Sequence, residues 1–406
     1  MTTTSSQQFT YVPSSVDSGE DQIKRLSYGP VSLVVIQATP FCNLDCDYCY
    51  LPDRGNRNQM DPELLDPILD AVLSSPYARN DFTLLWHAGE PLTMPRDFYD
   101  NASSAIARAG RRYSDYPLQI AQSIQTNATL IDQRWCDCLR RNAINVGVSL
   151  DGPAFLHDAH RRTRKGLGSH AATMRGIENL QKNDIPFSVI SVLTETSLDH
   201  PDELFQFFID NGINDVGFNM EETEGMNRRS SLDHGGCEER YRQFLERIWE
   251  LTQEGSQEFR LREFDAIFSL AYTDSRLLQT DMNQPFVIVS FDHRGNFSTF
   301  DPELLSVRTE AYGDFSLGNV FNDTLESVTH TDKFQQIERD MRAGVLACRQ
   351  ECSYFGVCGG GAGSNKYWER GTFACTETQA CRYRIKMVAD VALSGLEKTL
   401  GLSNTL

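Results

Sequence analysis

The chain has 406 residues, enough for one large core and a smaller second unit. Its 38 lysines and arginines face 56 aspartates and glutamates, a formal net charge of -18 with no basic cluster to neutralise a row of phosphates, which argues against nucleic acid as a partner. No apolar run long enough to span a membrane occurs, and the start lacks the charged and apolar stretches of a secretory signal, so no membrane contact is expected and the cytoplasm is the expected location.

Residues 1–28 read as a flexible, Ser/Thr-rich segment. Apolar runs at 32–37, 82–87, 118–126, 145–150, 187–194 and 215–220 then predict strands, and 62–73, 97–109, 132–142, 171–181 and 201–210 predict the helices between them. Asp61 before Pro62 and Ser169 before an apolar-periodic stretch are helix starts of the expected kind. Strand-then-helix units imply a parallel sheet with helices outside, and six are too few for the usual closed barrel. A partial (β/α)6 barrel over 29–255 is therefore the expected α/β fold. Past about residue 255 the pattern changes. The stretch 286–300 reads as two strands joined at "DHRGN", and 348–381 is rich in glycine and cysteine with too little apolar sequence for its own core, so a metal staple is expected. The last stretch, from Arg382, reads as a helix, and 256–406 as a small cysteine-rich domain ending in it.

Eleven cysteines in a reducing compartment are poor disulfide candidates, and those that cluster point to metal. "FCNLDCDYCYLPDRG" places Cys42, Cys46 and Cys49 in the loop after the first strand, where α/β folds collect their chemistry. Structural zinc needs a fourth protein ligand, and the nearest other cysteine is Cys136. An iron-sulfur cube on three thiolates instead leaves one iron open, which makes the missing ligand a functional vacancy. Cys136 and Cys138 lie two apart on a predicted helix, point to different faces, and read with Cys237 as core or surface residues. His157 and His160 read as hydrogen-bonding groups. Cys348, Cys352, Cys358, Cys375 and Cys381 suggest a second cluster, with structural zinc as the alternative.

The Cys-x3-Cys-x2-Cys spacing with aromatic Tyr48 before the last cysteine resembles the motif of radical S-adenosylmethionine (SAM) enzymes. "HAGEP" at 87–91 resembles their Gly-Gly-Glu-Pro segment with Ala88 for the first glycine, which implies that Gly89 and Glu90 hold the methionine amino group of SAM. By the same resemblance Ser149 and Asp151 of "VSLDG", Gln125 and Asn127 of "IQTNAT", and Arg161 or Arg162 of "HRRTR" are SAM-site candidates, with a turn, a cap or a solvated face as their ordinary alternatives. The second cysteine region resembles the SPASM extension of peptide-acting members. It departs from that pattern at Phe300 and Ala362, where cysteines are usual, so one auxiliary [4Fe-4S] cluster is expected, on Cys348, Cys352, Cys358 and Cys381, with Cys375 spare and the last two interchangeable.

Within this group "SLVVIQATPFCNLDCDYCYLPDR", "FNMEETEG" and "GGGAGSNKYWERGTFACTET" look most like the Grr/Osc-type maturases that form cyclophanes in ribosomally made precursor peptides. The resemblance implies a SAM-binding [4Fe-4S] cluster, an electron donor of flavodoxin or ferredoxin type, and a carbon-carbon crosslink between a side-chain β-carbon and an aromatic ring. Asp301, directly after Phe300, stands where the resembled sulfatase-type members have an aspartate base, which implies the same role here, and a helix cap before Pro302 is its alternative. Glu221, Glu222 and Glu224 after the sixth strand are candidates for meeting the peptide, against a solvated loop. With no fused leader-binding module expected, the peptide would dock on this fold or on a partner protein. The other readings are a sulfatase formylglycine-generating enzyme, a thioether-forming maturase, and a non-catalytic iron-sulfur scaffold.

Overall fold

The computed structural model describes residues 28–113, 117–254, 259–305 and 307–402, so all but Tyr28 of the expected flexible start lies outside it. The six apolar runs form β1 (Leu33–Gln37), β2 (Asp81–Trp86), β3 (Gln119–Thr126), β4 (Ile144–Ser149), β5 (Phe187–Leu193) and β6 (Asp215–Met220), each parallel to the next. Between them run α1 (Leu65–Leu73), α2 (Arg96–Arg112), α3 (Gln133–Arg141), α4 (Ala154–His160), α5 (His170–Lys182) and α6 (Pro201–Asp210). The first expected helix divides because Pro62–Leu64 form a tight 3-10 turn, whose start Asp61 caps by accepting from the Glu63 amide at 2.9 Å. Ser169 precedes α5 but does not cap it. Its hydroxyl donates to the Arg161 carbonyl at 2.8 Å and meets His157 Nε2 at 2.9 Å.

The sheet does not close. β7 (Arg260–Leu261) extends it beyond β6, while β8 (Ile288–Asp292) pairs parallel with β1 at the other side. β9 (Asn296–Thr299) returns antiparallel to β8, as the "DHRGN" turn predicts, and Asp292 Oδ1 holds that turn by accepting from the Arg294 and Asn296 amides at 2.8 and 3.0 Å. After a small hairpin of β10 (Arg308–Thr309) and β11 (Gly313–Asp314), β12 (Gly318–Asn319) completes the ten-stranded order β12-β9-β8-β1-β2-β3-β4-β5-β6-β7. The cysteine-rich region is thus continuous with the barrel sheet through β8.

The remaining helices are α7 (Cys237–Glu254), α8 (Arg262–Tyr272), α9 (Asp332–Glu351), α10 (Phe355–Cys358), α11 (Gly363–Arg370) and α12 (Gln379–Cys381). The C-terminal stretch is helical as expected, but it begins with a π turn over Arg382–Met387 before α13 (Val388–Thr399), which lies against α7 and α8. Trp86, Phe98, Tyr99 and Trp135 meet edge to face under the β2 side of the sheet, where Cys136 and Cys138 are fully buried. Among the described residues no helix is long and apolar enough to cross a membrane.

Candidate active site

The cysteine loop leaves β1 and is clamped from outside. Arg164 Nε donates to the Cys42 carbonyl and Arg54 Nη1 to the Cys46 carbonyl, both at 2.8 Å, while the Asp45 amide reaches the Arg162 carbonyl at 2.7 Å. Burial pushes the Cys42 thiol up to about 12, helped by the nearby Glu90 charge, and the Cys46 thiol up to about 11. Each of the three sulfurs lies within electrostatic range of the others. Bare thiolates would be costly here, whereas iron deprotonates its thiols outright, so the donor set fits an iron-sulfur cluster.

"HAGEP" packs directly on this loop. Gly89 has φ +60, and a Cβ there would lie 2.4 Å from the Thr39 carbonyl and 2.6 Å from that of Phe41, so only glycine admits the approach. Ala88 beside it also takes a positive φ, +67, which a non-glycine residue adopts rarely. Glu90 is 1% exposed. Its Oε1 accepts from the Leu92 amide at 3.0 Å and the Thr126 hydroxyl at 2.6 Å, and its Oε2 from the Asn127 amide at 2.8 Å. Burial raises its pKa even so. Asn127 passes the link onward, donating from Nδ2 to Asn43 Oδ1 at 2.9 Å in the cysteine loop.

Asp151 is a second hub. Tyr48 Oη and Arg161 Nε donate to its Oδ2 at 2.5 and 2.9 Å, and the Val192 amide donates to Oδ1 at 2.9 Å. Burial alone would raise the carboxyl, but Arg161, His157 and these hydrogen bonds hold it below the usual range. Arg161 is buried in this pair and sits 5.5 Å from the Tyr48 ring. Arg162 contributes its backbone only, since its exposed guanidinium turns to the Asp158 carbonyl at 3.1 Å. His157 and His160 are hydrogen-bonded as expected, to the Asp151 amide with Ser169 and to Asp47. Gln125 and Ser149 share one face of the sheet and bond to each other at 2.9 Å.

Two of the three glutamates in the loop after β6, Glu221 and Glu224, are buried rather than solvated. Glu221 accepts from the Ser231 amide at 2.9 Å and from its hydroxyl, so it braces its own loop. Glu222 is paired with Arg384 of the π turn at 2.8 Å. Glu224 is 5% exposed, and its Oε1 has no hydrogen-bond partner. The Met226 amide donates to the Tyr50 carbonyl at 2.9 Å and ties this loop to the end of the cysteine loop.

Asp301, two residues past β9, lies within electrostatic range of Glu224. Phe300 takes φ +69, an uncommon conformation for a bulky residue, turns its ring into the core against Phe334, and sends the chain back beside Gln37, whose Nε2 donates to the Pro302 carbonyl at 3.1 Å. Asp301 is wholly buried. It does not cap the turn at Pro302 as its ordinary reading expects. Its Oδ2 instead accepts from the Ser364 amide at 2.7 Å, in the first turn of α11, and its Oδ1 has no partner. Burial, then Glu303, pushes Asp301 well above the carboxylate range, and burial also lifts Glu303 to about 7 and Glu224 well above its usual value. Sequence reasoning did not single out Tyr50, whose buried hydroxyl is also unpartnered, or Glu303 and Arg384. The sequence signal for Tyr50 and Glu303 was adjacency: one follows Cys49, the other follows Asp301 by two residues.

In the second cysteine region Cys348 lies in the last turn of α9, Cys352 follows it, Cys358 ends α10 and Cys381 ends α12. Burial pushes the Cys358 thiol up to about 11, and it feels Cys381, Cys348 and Cys352. These four come together. Cys375 is also within electrostatic range of Cys348, and its Sγ donates to the Thr372 carbonyl at 3.5 Å. Cys136, Cys138 and Cys237 are core residues.

Residues 36–208 match the radical SAM superfamily. That superfamily uses a [4Fe-4S] cluster with S-adenosylmethionine, and members like the sulfatase maturases carry auxiliary clusters. An uncharacterized protein of Synechocystis sp., sll1766, is 58% identical over 93% of this chain and 95% of its own length. The serine-type anaerobic sulfatase-maturating enzyme of Bacteroides thetaiotaomicron is 25% identical over 83% of this chain and 84% of its own. The structure of native anSMEcpe with bound AdoMet and Cp18Cys peptide superposes with a TM-score of 0.72 at 21% identity, covering 91% of this chain and 99% of the other, which shows the shared fold.

Proposed function

We propose that this radical SAM enzyme joins a side-chain β-carbon to an aromatic ring within a ribosomally made peptide, forming a cyclophane. The observation that carries the reading is the pairing of Phe300 with Asp301. Where the resembled pattern has a cluster cysteine, this chain buries an apolar ring, and the next residue, itself buried, offers an unpartnered carboxyl oxygen. Cys42, Cys46 and Cys49 would hold the cluster that, with SAM, would supply radical chemistry able to take a hydrogen atom from the substrate.

The residues of the chain do the rest. Gly89, Glu90 and Asn127 fix the cysteine loop against the ends of β2 and β3, while Tyr48, Asp151 and Arg161 brace its far side. Gln125 and Ser149 offer polar groups to SAM from the sheet. Forming the crosslink removes two hydrogens, one as an atom and one as a proton from the ring with one electron, which an auxiliary cluster held by Cys348, Cys352, Cys358 and Cys381 could take up. Asp301 Oδ1 is the proton's acceptor, and its burial, with the Glu303 charge nearby, raises its basicity. An external flavodoxin or ferredoxin supplies the electron that starts each turnover.

A second reading, oxidation of a serine or cysteine to formylglycine, has the sulfatase-maturase similarity over 83% of the chain in its favour. Co-expression with short peptides encoded beside the gene, followed by tandem mass spectrometry, separates the two. Loss of two hydrogens, absence of fragmentation between the joined residues and no reaction with a hydrazide support the crosslink. Hydrazone formation gives the second reading, and no modified peptide at all overturns both.

A further inference from the structure

Lys366 of α11 is a buried cation beside the second cysteine group. It is 4% exposed, and its Nζ donates to Cys348 Sγ at 3.4 Å. Among the described residues that sulfur is its hydrogen-bond partner, and no carboxylate forms an ion pair with it. Burying an ammonium this way is strongly disfavoured unless a negative charge faces it, and a thiolate-held iron-sulfur group provides that charge.

The approach is built into the neighbouring helix. Gly344 lies one turn before Cys348 on α9, where a Cβ would meet the Phe373 carbonyl at 2.1 Å and Lys366 Nζ at 3.0 Å. The helix thus gives up propensity at an interior position chiefly to admit the Phe373 carbonyl, and Lys366 Nζ lies beside the same opening. The Cys375 thiol also feels this charge, which lowers its pKa against the larger effect of burial.

We propose that Lys366 sets the reduction potential of the auxiliary cluster, favouring its reduced form so that it accepts an electron from the substrate. The inference deepens the proposed reaction, in which one electron leaves the peptide for this cluster as one proton passes to Asp301. A fixed positive charge at hydrogen-bond distance from a ligand sulfur stabilises the added electron, and hydrogen bonds to cluster sulfurs act in the same direction.

The test is a potentiometric titration of the anaerobically reconstituted full chain, followed by the paramagnetic signal that SAM addition leaves unchanged. Lys366→Met should lower the equilibrium constant for reduction at least ~10-fold, about 59 mV for a one-electron couple, with iron content kept. Lys366→Arg, which keeps the charge, should stay within about 2-fold of the parent. Should the methionine variant lose iron, Lys366→Gln carries the same comparison. An unchanged potential in an iron-replete neutral variant overturns the proposal, and so does loss of the cluster in both neutral variants, which would assign the lysine to assembly. The titration needs neither peptide nor SAM cleavage, so a failed crosslinking assay and an unshifted potential are separate results.

Discussion

Two sets of buried carboxylates flank the cysteine loop, and they differ in what their oxygens do. Glu90 and Asp151 have both oxygens engaged by amides, hydroxyls or a guanidinium. Asp301 and Glu224, equally buried, each keep one oxygen without a partner. An engaged carboxylate fixes geometry, because moving it breaks several bonds at once. An unpartnered one in a dry pocket is costly to the fold and keeps its capacity to take a proton or meet a substrate donor. Burial thus marks both sets, and satisfaction of hydrogen bonds separates the frame from the chemistry.

The largest effect that would sharpen this division is on stability. Asp151→Ala leaves Arg161 buried and charged without its partner, so unfolding in urea should show a loss of about 3–5 kcal/mol. A loss below about 1 kcal/mol would remove the distinction between the two sets. In the second cysteine region, Cys381→Ala should cost about four of about eight irons after anaerobic reconstitution, whereas Cys375→Ala should cost none. Equal losses would mean that the four converging sulfurs are not the ligand set.

A smaller effect concerns pH. Glu303 is lifted by burial from an ordinary 4.5 to about 7, so the native state holds a proton that the unfolded chain has already released between those values. Its contribution is fully present below about 4.5 and is lost as pH rises toward about 7. Glu303→Gln should therefore flatten the fall in stability across that window by about 1 kcal/mol, reduced from the full linkage value because the group is partly exposed and shares its titration with Glu224. An unchanged slope in urea unfolding at the two ends of the window would place Glu303 outside the pocket's proton economy.

Much of the frame was legible in the sequence because it rests on local pattern. The six parallel strands follow from short apolar runs, and the cysteine loop from its spacing behind the first of them. The pocket rests on long-range closure instead. Nothing local says that Glu224 is buried, since that depends on Met226 docking on Tyr50, or that Asp301 caps a helix more than sixty residues later rather than the turn it precedes. The cap expected of Ser169 failed for a related reason, its hydroxyl being drawn to Arg161 and His157 across the loop. Lys366 was invisible among polar neighbours because its meaning comes from Gly344 and Cys348 on another helix.

The most direct test of the account is Asp301→Asn. The amide oxygen can still accept from the Ser364 amide, so the variant should fold as stably as the parent, keep its iron and form 5'-deoxyadenosine. Its crosslinked peptide, quantified by mass spectrometry against that 5'-deoxyadenosine, should fall at least ~100-fold, the range expected for a lost general base. Crosslinked product within a few-fold of the parent, at equal SAM cleavage, would contradict the account and leave Asp301 as no more than the cap of α11.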